Sequence, residues 1–322
     1  YRNGYAAHVW ITTPEGRRQR KSVYGKTREQ VHEKWLKLHE QARRGPVAPR
    51  SPQLAAFIDG WLRDVVQPNL APMTASNYEL FSRLYIVPDL GRKRLDRLSV
   101  RDVQTWLNVL RTRCQCCAQG KDASRDEPQC CAVGRCCRQL ASEWTIHQAW
   151  TVLSAAMREE LVTRNVAALV RVPVPRTRKP TVWTVDQARQ FLESARQDDD
   201  PLYAGYVLML VLGLRRGELL GLSWEDVDLL HGEARIAWQV QRVKGQLLRR
   251  KTKTSSSDAP LPLPDICVKA LEQRRVTEAR WRLAAGEAWS GSGLVLTTRL
   301  GDPLDPRNFH RFFKARADKA GV

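Results

Sequence analysis

Arg215 closes a long apolar run, Tyr203 to Leu212, and that placement makes it a candidate for anion chemistry. A guanidinium at the end of a buried apolar helix is costly unless an anion meets it. Glu218 lies three residues on, within reach on the same helical face, and could hold one edge of that guanidinium. The remaining N–H donors would then be free for a second anion; alternatively the two residues close into an ion pair with no further role. This reading needs the guanidinium dry, and a side chain pointing into bulk solvent, or walled off from any groove wide enough for a duplex, would sink it. Downstream, Lys251 and Lys253 fall in a polar turn running to Ser257. A lysine in such a turn is ordinarily just solvated.

Thiols form a second centre. Seven of the eight cysteines lie between Cys114 and Cys137. Cys114 and Cys117 make a C-x2-C pair, and Cys131 and Cys136 a C-x4-C pair. Four thiolates so spaced could surround one structural Zn2+ at Zn–S distances of about 2.3 Å. Disulfides formed on oxidation, or an unliganded loop, are the alternatives. With seven thiols the ligand set stays open.

The chain that must carry these groups has 322 residues, 43% apolar and 27% charged, enough to bury real cores. Lys and Arg number 53 against 34 Asp and Glu, a net charge of +19. Such an excess spread along the whole chain favours a polyanionic partner, nucleic acid first. No apolar run approaches the roughly 20 residues of a membrane span, and nothing at the start reads as a signal peptide.

Three parts are expected. In residues 1–45, Tyr5 to Ile11 and Arg17 to Tyr24 read as strands about a turn at 14–16. A capping box at Thr27 and Gln30 then opens a helix with Val31, Trp35 and Leu38 on one face. The exposed face of this sheet should carry Arg17, Arg18, Arg20 and Lys21, and a ribbon of that width can enter a DNA major groove. After a Pro-rich linker, residues 52–172 read as four to five helices, with Thr74 and Ser99 as start signals and the Cys-rich insertion at 114–137. A basic linker with Arg176, Arg178 and Lys179 could follow a phosphate backbone. Residues 176–322 then mix helices with a sheet. Thr184 and Gln187 form a capping box, one strand is expected over 234–243, a return strand over 246–250, and a third strand over 259–263.

Gly213-Leu214-Arg215-Arg216-Gly217-Glu218-Leu219-Leu220-Gly221-Leu222 with Ser223 to Asp228 resembles the first catalytic-arginine motif of the tyrosine recombinases, the phage-integrase family. Lys251-Thr252-Lys253 ahead of Leu261-Pro262-Leu263 resembles that family's β-hairpin lysine motif. The resemblance runs along the whole chain and implies an α+β, multidomain protein. Its parts would be a small sheet-plus-helix arm-binding domain, an all-α core-binding domain and a mixed α/β catalytic domain. The Cys insertion resembles one found in actinobacterial integrases. The implied reaction is DNA strand exchange through a 3′-phosphotyrosine, with no metal or other cofactor for catalysis.

By resemblance Arg215 would stabilise the phosphodiester transition state, Glu218 would orient it, and Lys251 would protonate the leaving 5′-oxygen, with Lys253 as competitor. The implied partners are double-stranded DNA at core and arm sites and a homotetramer, in a bacterial or phage-encoded cytoplasmic protein. The sequence departs from the family in two places. His310 is followed by Arg311, Phe312 and Phe313 and so does not make the family's H-x-x-R box, and no Tyr follows Tyr206. The catalytic domain therefore reads as incomplete, and residues 1–322 are expected to bind DNA without cleaving it. A non-enzymatic DNA-binding regulator or remnant with integrase architecture is the alternative. An RNA-binding zinc protein is a weaker one, since no RNP-like aromatic strand supports it.

Overall fold

The computed structural model describes residues 4–13, 16–45, 47, 51–159, 165–176, 181–252 and 260–322. The chain forms two compact units, Tyr1–Thr177 and Arg178–Val322. No helix among the described residues is long and apolar enough to cross a membrane.

The first unit opens with an antiparallel ribbon, β1 (Tyr5–Thr12) and β2 (Arg18–Gly25), in register from Tyr5 opposite Gly25 to Thr12 opposite Arg18. Strand side chains alternate between faces. Val9 and Ile11 therefore turn inward onto Leu38 of α1 (Arg28–Arg44), while Trp10 turns out. Thr27 caps α1 as expected, accepting from Gln30 N–H, but the Gln30 side chain reaches back to Lys26 N–H rather than to its own cap residue.

A helical body follows. It comprises α2 (Leu54–Trp61), α3 (Gln67–Asn69), α4 (Pro72–Phe81), α5 (Val87–Leu90), α6 (Val100–Thr112), α7 (Gln115–Ala118) and α8 (Glu143–Ala156). Wide π-turns at Leu62–Val66 and Ser82–Ile86 run into α3 and α5. Each ends two residues before a proline, Pro68 or Pro88, which has no N–H to donate and whose ring crowds the carbonyl one turn back. Widening the turn relieves both problems. Leu54, Ile58, Ile86, Leu107, Leu110, Ile146 and Leu153 fill the core. Ser99 and Asp102 form a complete capping box on α6. Thr74, expected to cap a helix, lies inside α4 instead, because Pro72 is pre-set for the first helical position and starts the helix earlier.

The second unit contains α9 (Val185–Gln197), α10 (Tyr203–Leu212) and α11 (Arg216–Gly221). Next come β3 (Val227–Asp228), β4 (Glu233–Arg235), β5 (Trp238–Val243), β6 (Gln246–Lys251) and β7 (Pro260–Pro262). Helices α12 (Asp265–Ala285) and α13 (Pro306–Ala320) complete it. The expected strand over 234–243 is two strands, since Ile236 and Ala237 both turn inward and break the alternation. The return strand pairs with β5 alone. Strand β7 pairs with β4, in a separate sheet of order β3-β4-β7. Lys244 (φ 48°) and Gly245 (φ 88°) make a two-residue hairpin turn with both central residues left-handed, the form whose twist suits a tight β-hairpin.

Candidate functional site

Arg215 is not dry. Helix α10 ends at Gly213, Leu214 turns inward, and Arg215 takes extended backbone immediately ahead of α11 with its side chain 85% exposed. The expectation of a buried guanidinium fails because the apolar run ends before Arg215 and the chain changes direction there. Among the described residues of this unit the buried guanidinium is that of Arg274, 3% exposed. Arg274 donates to Val295 O at 2.8 Å and Thr297 Oγ1 at 3.0 Å, and lies over the Trp281 ring. Burial pulls its pKa down, with Glu278 opposing.

The pairing with Glu218 is present in a different form. Arg215 Nη1 donates to Glu218 Oε1 at 2.8 Å, and the Arg215 backbone N–H donates to Glu218 Oε2 at 3.0 Å. The carboxylate thus holds both ends of one residue, as the third helical residue does when it reaches back to the position preceding a helix. One edge of the guanidinium is fixed, and its exposed N–H groups face solvent.

Helix α11 is positioned by close backbone contact. A Cβ at Gly221 would lie 2.6 Å from both Trp238 O and Gln239 Cα, so the helix rests directly on β5. Strand β5 pairs with β6 so that Trp238 faces Lys251. Arg249 fastens the three together: its Nη2 donates to Ser223 Oγ at 3.0 Å, its Nε reaches Gly221 O at 3.4 Å, and its guanidinium stacks on Trp238. Arg249 was missed in the sequence because its partners are 26 to 28 residues away. Gly221→Ala should therefore destabilise this unit by about 3 kcal/mol, a backbone clash lying at the severe end of overpacking. Urea unfolding reads this directly, and an unchanged midpoint would refute the close seating.

Lys251 is exposed at the end of β6, with Nζ 6.0 Å from the Trp238 ring centroid. It sits in the strand rather than in the turn expected for it. Lys253, Arg178 and Lys179 lie outside the described residues, and Arg176 is exposed. On the ribbon, Arg17, Arg18 and Arg20 are exposed, and Arg18 stacks on Trp10. Lys21 departs from this set: it pairs with inward-facing Val9 and is half-buried. Burial lowers its pKa, Asp96 raises it and Arg94 lowers it further. Strand alternation puts it on the opposite face from Arg18 and Arg20.

Neither tyrosine of α10 is placed to be a nucleophile. Tyr206 is fully buried among Phe191, Phe309 and Phe313, and burial raises its pKa. Tyr203 is half-buried and raised for the same reason.

In the insertion, the sulfurs of Cys114, Cys117, Cys130 and Cys136 all lie within 4.8 Å of one another. Cys131 is outside this group and exposed, which corrects the expected ligand set. Asp122 anchors this stretch of the loop. Fully buried, it accepts from the N–H groups of Gln129 at 2.8 Å, Cys130 at 2.8 Å and Ala132 at 3.0 Å, and pairs with Arg125. These donors outweigh its burial and hold its pKa low. The fold of the loop around this carboxylate turns Cys130 inward and leaves Cys131 to open an exposed 3-10 turn.

Residues 181–322 match the profile of the phage integrase family, and residues 53–111 that of the phage integrase N-terminal SAM-like domain. An integrase of Streptomyces ambofaciens is 29% identical over 97% of this chain and 77% of its own length. A tyrosine recombinase XerC-like protein of Caldanaerobacter subterraneus is 25% identical over 99% and 81%. Among solved structures, the Tn1549 transposon integrase in complex with transposon right end DNA superposes with a TM-score of 0.61 at 18% identity, covering 83% of this chain and 78% of that one. A lambda integrase dimer bound to a COC′ core site gives 0.53 at 16%, covering 99% and 81%.

The architecture is thus the mixed α/β, multidomain fold of integrases. The chain belongs to the phage integrase family of tyrosine recombinases, which places it in a recombinase class of enzyme.

Proposed function

We propose that this chain supplies the DNA-binding and phosphate-activating parts of a site-specific DNA recombinase. One observation carries the reading. Arg215, held by Glu218, stands at the start of a helix seated on the hairpin strand opposite the one that ends at Lys251. In-line attack on a phosphodiester builds negative charge on the non-bridging oxygens, and a guanidinium fixed on one edge can donate to them with the other. Lys251 protonates the leaving 5′-oxygen in this scheme, with Lys253 as the competing donor. The attacking group is a tyrosine that forms a 3′-phosphotyrosine. Tyr203 and Tyr206, packed into the core from α10, do not supply it in this scheme.

Residues 1–45 serve an arm-type DNA site through Arg17, Arg18 and Arg20, and residues 52–172 clasp the core site. Arg176, Arg178 and Lys179 track the backbone between that body and the catalytic domain of residues 176–322. Double-stranded DNA is the partner, the working assembly is a homotetramer, and the compartment is the bacterial cytoplasm. No cofactor takes part in the chemistry. Structural relatives support the partner: the Tn1549 integrase is in complex with transposon right end DNA, one lambda integrase is a dimer bound to a COC′ core site, and another is a tetramer bound to a Holliday junction.

The test uses duplexes that residues 1–322 select from a randomised pool. The chain should retard them in a gel yet leave no adduct that survives SDS. Failure to select any duplex sinks the reading. A covalent adduct formed by residues 1–322 would place the nucleophile inside this chain. If the reading frame translated to its stop codon also binds without ever cleaving, the chain is a DNA-binding regulator of integrase architecture.

A further inference from the structure

The insertion between α6 and α8 builds its interior from sulfur. Its buried cluster consists of Cys114, Cys116 and Cys130 with Cys117 packed against them, and no aliphatic or aromatic side chain joins it among the described residues. A loop of this length needs something to hold it, and a few small thiols bury too little surface to do so alone. Asp122 organises residues 129–132, and Gln115 N–H donates to Gln139 O at 2.7 Å to close the neck. Between those two fixings the 114–117 arm meets the 130–136 arm sulfur to sulfur. Cys117 lies 3.5 Å from Cys130 and 3.9 Å from Cys136, and with Cys114 all four sulfurs fall within 4.8 Å of one another. All four are free thiols. In a tetrahedral tetrathiolate with Zn–S bonds of about 2.3 Å, neighbouring sulfurs stand about 3.8 Å apart.

We propose that the insertion holds one zinc ion on Cys114, Cys117, Cys130 and Cys136, and that this ion is the core about which the insertion folds. An all-sulfur, tetrahedral donor set suits zinc and turns away magnesium and calcium. Each thiol releases its proton to solvent as the ion binds. Backbone donors already point at two of the sulfurs: Cys137 N–H donates to Cys130 Sγ at 3.0 Å and Arg138 N–H to Cys136 Sγ at 3.4 Å. A neutral thiol is a weak acceptor and a thiolate a far better one. Outer donors of this kind orient metal ligands.

The remaining cysteines do not make a second site. Cys116, Cys130 and Cys137 form a close group of three that shares Cys130 with the first. Cys137 approaches Cys114 at 3.7 Å but belongs to that smaller group, and Cys131 is exposed and outside both. The core of the helical body contains none of these cysteines. Losing the ion therefore opens the insertion and leaves the body folded. The ion binds whether or not the chain acts on DNA.

The experiment is elemental analysis of residues 1–322 made in zinc-supplemented medium and purified with reductant and without chelator. One zinc per chain is expected. Cys131→Ser and Cys137→Ser, changes at exposed side chains, should keep it. Cys117→Ser and Cys130→Ser should fall below half an equivalent while circular dichroism stays helical. In the unaltered chain, stripping the ion with a chelator should speed tryptic cleavage after the exposed Lys121 and Arg135, and restoring zinc should slow it again. Less than half an equivalent in the unaltered chain, iron in place of zinc, or thiols found oxidised in pairs overturns the site. Two equivalents overturn the single ion. Zinc kept by Cys117→Ser or Cys130→Ser, or lost from Cys131→Ser or Cys137→Ser, overturns the ligand set. Tryptic cleavage that ignores the chelator overturns the ion as the core of the insertion.

Discussion

Raising NaCl from 50 to 200 mM should weaken the complex of residues 1–322 with duplex DNA by about a thousandfold or more, the loss that goes with six to ten phosphate contacts. The chain carries +19 and must displace condensed counterions wherever its cations meet phosphate. Exposed cations are distributed over both units: Arg17, Arg18 and Arg20 on the ribbon, Arg176 after the helical body, and Arg215 and Lys251 in the second unit. Few of these are neutralised by close carboxylates, Arg215 being the exception. Fluorescence anisotropy against salt should give a log–log slope of about −5 to −9, near 0.9 per contacted phosphate. A slope shallower than about −3 would mean that no more than three phosphates are engaged, and the DNA-clasping role would be lost.

Arg215→Ala, in the reading frame translated to its stop codon, should slow strand cleavage by a factor of about 100 to 1000, the cost of removing one preorganised donor from a developing oxyanion. Binding should change by less than about threefold, since one phosphate contact among many is removed. The exposure of Arg215 sharpens the test. With 85% of the side chain in solvent, its removal leaves no cavity, and the largely buried Glu218 carboxylate keeps the backbone N–H of residue 215, so the melting temperature should move by no more than a few degrees. A slow variant with a nearly unchanged melting temperature is therefore a chemical effect and not a folding defect. Arg215→Lys should recover little, because an ammonium cannot present one edge to Glu218 and another to phosphate. Cleavage at the parental rate in Arg215→Ala would remove this residue from the mechanism.

Features set by neighbours in the chain were legible from the sequence. The cap-and-return pairs at Ser99 with Asp102 and at Thr184 with Gln187 form as read, since each spans three residues and needs no distant partner. The hairpin turn at Lys244 and Gly245 and the apolar stripes of α6 and α9 are local in the same sense. The motif around Arg215 identified the family by its residue order, and the Glu218 contact follows from a spacing of three.

Burial, face and pairing partner were decided by the tertiary structure. The apolar run ahead of Arg215 implies a dry guanidinium, yet the chain turns before reaching it, and among the described residues Arg274, with nothing local to mark it, is the arginine that goes inside. Lys21 differs from Arg20 only by one step of strand alternation, and the packing of α1 under Val9 and Ile11 chose which face was inner. Strand β7 joins β4 rather than the nearer hairpin, a choice between edges that no local pattern encodes. Cys130 and Cys131 are adjacent and chemically identical, yet Cys130, whose N–H donates to the buried carboxylate of Asp122 eight residues back, is the one whose thiol faces the others. Composition and spacing state which groups are present and which can touch along one helix or strand. Which of them meet across the fold depends on contacts between segments distant in sequence, and those exist only once the chain has packed.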